Sequence, residues 1–127
     1  MRAGRASLLG VSLCLSVPVH ATPPPALNLP GEIASRIAAC WHPPAEGDEV
    51  TLRLSFRADG SLFGKPRMTY VKAVGGADGE AAVANSIFAA LEACSPLRFT
   101  PALGAAIAGR TFLIRFVAPR KTLRAAL

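Results

Sequence analysis

From Val50 to Arg57 the chain alternates without a break: Val50, Leu52, Leu54 and Phe56 on one side, Thr51, Arg53, Ser55 and Arg57 on the other. Period-two alternation of this kind is the pattern of a strand with one face in a core and one in water. A half-buried strand cannot stand alone, so the rest of the chain has to supply neighbours for its edges and a cover for its apolar face. Asp59-Gly60 follows directly. That dipeptide is a strong reversal signal, and "GKPRMTYVKAV" is expected to return as a second strand, with Pro66 placing its start at a sheet edge because proline has no N–H for a ladder. "RTFLIRFVAP" alternates again, with Phe112, Ile114 and Phe116 opposed to Leu113, Arg115 and Val117, and reads as a third strand closed by Pro119.

Two segments carry helical spacing instead. "GEIASRIAAC" sets Ile33, Ile37 and Cys40 on one stripe and is stopped by Pro43 and Pro44; "EAAVANSIFAALEAC" sets Val83, Ile87, Ala90, Leu91 and Cys94 on another and is stopped by Pro96. The glycine-rich "GGADG" before it reads as a break. The expected order is helix, strand, strand, helix, strand. This defines a two-layer α+β domain in which a three-stranded antiparallel sheet carries two helices on one face and leaves the other face, with Thr51, Arg53, Arg57 and Arg115, in water.

The first 21 residues do not belong to that domain. Arg2 and Arg5 precede the apolar run "ASLLGVSLCLSVPV", and Val19-His20-Ala21 ends it as an export signal ends before cleavage. The run is shorter than the ~20 apolar residues of a spanning helix. Leu13 stands before Cys14 where a lipoprotein signal takes a small residue, which argues against lipidation. Residues 1–21 are therefore expected to be a cleaved signal peptide, 22–30 a Pro-rich lead or strap, 31–119 the domain, and 120–127 a basic tail, with the mature protein periplasmic.

Removing Arg2 and Arg5 from 14 basic residues leaves 12 against 8 acidic ones, a net charge of +4. Trp41 and Tyr70 are not interleaved with the basic residues as a nucleic-acid stacking platform requires, so no nucleic-acid partner is expected.

Loss of Cys14 leaves Cys40 and Cys94, each on the apolar stripe of its helix close to a terminating proline. If the helices lie side by side, the sulfurs meet, and an oxidising compartment makes a structural disulfide the expected outcome. Alternatives remain for "AACWHPP". Cys40 beside His42 is a conceivable thiol nucleophile, although His42 is the only histidine in the mature chain to serve as base. Two cysteines and one histidine fall short of the four ligands of a structural zinc site. Glu46, Asp48 and Glu49 read as a charged loop, and "VGGADGE" lacks the Lys-Ser/Thr that a phosphate-binding loop carries. No cofactor, metal or small-molecule substrate is expected, and the domain is expected not to be an enzyme; the alternative is a small exported enzyme or enzyme inhibitor that uses His42.

The run "IAACWHPP", the strand and turn "VTLRLSFRADGSLFGKP", the helix "AAVANSIFAALEACSPL" and the final "TFLIRFVAP" together resemble the C-terminal domain of the TolA/TonB superfamily, closest to TolA-like periplasmic domains. The resemblance spans about residues 31 to 119. It implies a periplasmic protein-interaction module and pairing of the cysteines at the two helix ends, here Cys40 and Cys94. It also implies partners in the cell envelope, Tol-Pal or outer-membrane proteins, bound partly by strand addition at a sheet edge. The edge expected to serve is the strand containing Arg110, Thr111, Leu113, Arg115 and Val117, because Pro66 blunts the other. His42 stands where such sequences often have Asn, and the long linker of TolA and TonB is not seen in this chain, so the expected role is that of an envelope adaptor.

Overall fold

The computed structural model describes residues 4, 9–18 and 24–120. The basic residues Arg2 and Arg5, the expected cleavage site at Val19-His20-Ala21 and tail residues 121–127 lie outside the described residues. Residues 9–18 form neither helix nor strand. Among the described residues no helix is long and apolar enough to cross a membrane.

The elements run α1 (Gly31–Cys40), β1 (Glu49–Ser55), β2 (Arg67–Lys72), α2 (Gly76–Cys94), α3 (Pro101–Ile107) and β3 (Thr111–Val117). The three strands form one antiparallel sheet in the order β2-β1-β3. The expected α-β-β-α-β order stands, with one short helix added before the last strand. β1 takes the centre, and its even-numbered residues explain why: Val50, Leu52, Leu54 and Phe56 are buried. They face Ile33 and Ile37 of α1 and Val83, Ile87, Ala90 and Leu91 of α2 in a single core.

The reversal at Asp59-Gly60 is real and tight. Ser61 donates to Asp59 Oδ1 from both its backbone N–H, at 2.9 Å, and its hydroxyl, at 2.6 Å, while Gly60 takes φ +93°. These bonds hold the Asp59 carboxyl below its ordinary pKa. Gly60 also lies against the Arg98 backbone, where a Cβ would come within 2.5 Å of the amide nitrogen, so the position excludes any side chain. After an antiparallel bridge between Phe56 and Leu62, and a hydrogen bond from the Phe63 N–H to Ser55 O at 2.9 Å, residues 64–66 leave the ladder before pairing resumes at Arg67. Pro66 sits among them, outside the ladder it cannot join.

Two parts of the chain differ from expectation. The "GGADG" run is not a break as a whole: α2 already begins at Gly76, with Asp78 in its first turn where a carboxylate offsets the helix dipole. The helix α3 was not anticipated. It starts where Thr100 Oγ1 accepts the Leu103 N–H at 3.3 Å and Pro101 takes the first turn, and it buries Leu103 and Ile107. Gly104 lets α3 press on the backbone carbonyl of Ala58, a spot with no room for a Cβ.

The Pro-rich lead is a strap. Leu27 is buried, donates its N–H to Arg98 O at 2.9 Å and accepts from the Thr100 N–H at 2.9 Å, which ties the segment before α1 to the segment before α3.

Candidate functional site

The stretch "AACWHPP" ends α1, and its chemistry is settled by a bond. Cys40 and Cys94 form a disulfide across a Cα–Cα distance of 6.1 Å, within the usual range for such bridges. Both sulfurs are committed, so Cys40 is not a thiol nucleophile or a zinc ligand. Trp41 turns inward beside the bridge: it is 7% exposed, its Nε1–H donates to Ser86 Oγ at 2.9 Å, and its ring meets Phe116 edge-on at 6.1 Å. One side chain thereby joins α1, α2 and β3. His42, the next residue, is exposed.

Asp48 corrects the reading of Glu46, Asp48 and Glu49 as a solvated charged loop. It is 1% exposed, the only charged residue in the core among the described residues. Its Oδ2 accepts the Ala45 N–H at 3.0 Å, its Oδ1 accepts the Val74 N–H at 2.9 Å, and its carbonyl accepts from Ala118 N–H at 2.8 Å. A buried carboxylate is tolerated because backbone donors from two loops converge on it. Asp48→Asn replaces an acceptor oxygen with an amide that faces one of those N–H groups, and is expected to cost about 2 kcal/mol, read as a lower denaturant midpoint.

The sheet has two edges, β2 and β3, and among the described residues no further strand pairs with either. Along β3 the hydrogen-bond phase follows from Ala118, whose N–H donates inward to Asp48. Residues of an antiparallel ladder alternate between bonding the partner strand and facing away. Counting back by twos, Phe116, Ile114 and Phe112 bond to β1, and Thr111, Leu113, Arg115 and Val117 turn their N–H and C=O groups to the open edge. Four of the five residues expected at the edge are thus its outward members. Arg110 stands one residue before the strand, and its N–H is already used by Ile107 O at 3.0 Å. Leu113 is 66% exposed, and the Arg115 guanidinium bonds Glu49 Oε2 at 2.8 Å, which raises its pKa further.

The outer face of the sheet is basic. The register sets Arg53 of β1 directly opposite Arg67 of β2 on one side and Leu113 of β3 on the other. Pro66 does not leave β3 as the sole edge, because β2 is an edge too. Proline only keeps the entry to β2 unpaired.

Fold and site together define a disulfide-stapled α+β domain whose open features are a strand edge and a sheet face. A family model, Uncharacterised conserved protein UCP034077, matches residues 23–120, and the chain belongs to that family. No curated protein and no solved structure matches it.

Proposed function

We propose that this is a non-catalytic protein-interaction module of the cell envelope, related in kind to the C-terminal domains of TolA and TonB. In this proposal it works in the periplasm after loss of its leader and binds a partner segment by strand addition at β3. The observation that carries this is the open edge: Thr111, Leu113, Arg115 and Val117 present backbone groups that pair with no other strand among the described residues, over a seven-residue strand. Such an edge is a template for another chain. A disulfide in the core supports an oxidising compartment.

The test is capture from envelope extract by the immobilised protein and by Leu113→Pro. Leu113 bonds outward, so proline there removes an edge donor and leaves the β1–β3 ladder intact. Wild type is expected to retain a Tol-Pal or outer-membrane protein, and Leu113→Pro to fold and lose it at least tenfold. Equal capture by both proteins contradicts strand addition at β3.

A further inference from the structure

We propose that the outer face of the sheet docks on an anionic lipid surface. This inference is independent of what binds the β3 edge, since the face and the edge are separate surfaces of the same sheet.

Charge is segregated in this fold. The outer face and the hairpin that extends it carry Arg53, Arg57, Lys65, Arg67, Lys72 and Arg115, against two acidic residues, Glu49 and, at the hairpin tip, Asp59, whose carboxylate accepts from Ser61. Arg115 already neutralises Glu49, and this is the only salt bridge among the described residues. The other six acidic residues lie on the helices and on the segment before β1, three of them on α2.

Arg53 and Arg67 are cross-strand partners, and like charges placed directly opposite destabilise a sheet. Among the described residues no carboxylate pairs with either arginine. They border a shallow concavity of about 150 Å³ shared with Lys65, Phe63 and the Ser55 and Thr111 positions, so three cations and two hydroxyl-bearing residues surround a space that can hold a phosphate group. A phosphodiester anion there removes the repulsion and takes charge-assisted hydrogen bonds from both guanidinium groups.

The apolar residues on the same face choose between an acidic protein and a lipid surface. Phe63 is 57% exposed, and Tyr70, Leu113 and Val117 also stand out among the cations. These are projecting side chains, not a recess for a partner's anchor. A rigid acidic partner would need matching pockets for them. A bilayer interface yields, accepting aromatic and aliphatic side chains at the headgroup boundary while its phosphates meet the cations.

The experiment is co-sedimentation of the full chain with vesicles of phosphatidylcholine alone or mixed with phosphatidylglycerol, so that any contribution of the apolar stretch 9–18 is common to every variant. Binding is expected only to the mixed vesicles, and to vanish near 1 M salt, where screening acts within about 3 Å. Arg53→Gln and Arg67→Gln should each lower the partition about fivefold and together about twenty-five-fold. Arg36→Gln removes the same charge from α1 and should change it less than twofold. The double variant relieves a repulsion between exposed groups, so its melting temperature should not fall, which separates lost binding from lost folding. Equal sedimentation with both kinds of vesicle overturns the proposal, as does indifference to the arginine pair. Oligoglutamate binding with the same arginine dependence, in a protein that ignores mixed vesicles, assigns the face to an acidic protein and overturns it too.

Discussion

Reduction of the Cys40–Cys94 bond is expected to lower the stability of the domain by about 4 kcal/mol, the value the chain-entropy account gives for cysteines 54 positions apart. The cross-link restricts the unfolded chain from the end of α1 to the end of α2, a span that holds the central strand β1 and the core face of α2. A domain of this size has about 5–15 kcal/mol in total, so the bond supplies a large part of it. The melting temperature should fall by roughly 20 °C on reduction, since 1 kcal/mol corresponds to about 4–8 °C for a small domain. The oxidised protein, denatured, should show no reactive thiol from Cys40 or Cys94. A melting temperature that does not respond to reductant would show that the staple contributes little.

Trp41→Ala is expected to cost about 4 kcal/mol, the range for deleting a large aromatic side chain from a core. The ring is nearly all buried between Ser86 of α2 and Phe116 of β3. Its loss leaves a cavity where the helix layer meets the sheet. Trp41→Phe should cost far less, about 1 kcal/mol, because the packing is largely kept and the Ser86 hydroxyl still donates to Val83 O at 2.7 Å. Urea unfolding of the two variants separates these contributions. If Trp41→Ala keeps full stability and loses partner capture, Trp41 belongs to the binding surface and not to the core.

Much of this architecture was legible because its signals are local. β1 has one face in water and one in the core, and that asymmetry writes itself into Val50–Arg57 as strict alternation. The helix stripes of α1 and α2 likewise placed both cysteines on facing surfaces. The helix α3 spans only seven residues, too few for a periodicity to stand out, although Thr100-Pro101 and the Leu103/Ile107 spacing were available as start and core signals. Asp48 was illegible for a different reason. Its partner Val74 lies 26 positions on, and nothing near Asp48 in the chain indicates that a backbone donor will arrive.

The site was legible in a similarly divided way. Alternation in "TFLIRFV" separates Leu113, Arg115 and Val117 from the inward set, but whether a strand is an edge depends on pairing order, which is a property of the whole sheet. The basic face depends on a bulge. Pairing runs Thr51 to Tyr70 and then Leu52 to Met68, so Thr69 is skipped. Without that skip Arg53 would oppose Met68, and Arg67 would turn toward the helices. No local sequence pattern announces the shift that sets the two arginines side by side.

Amide hydrogen exchange on the captured complex bears most directly on the central claim. Strand addition at β3 predicts that the Thr111, Leu113, Arg115 and Val117 amides, open in the free protein, become protected on binding, while the inward Phe112, Ile114 and Phe116 amides change little. Protection that appears on β2 or the helices and leaves those four amides exchanging as before would contradict the account.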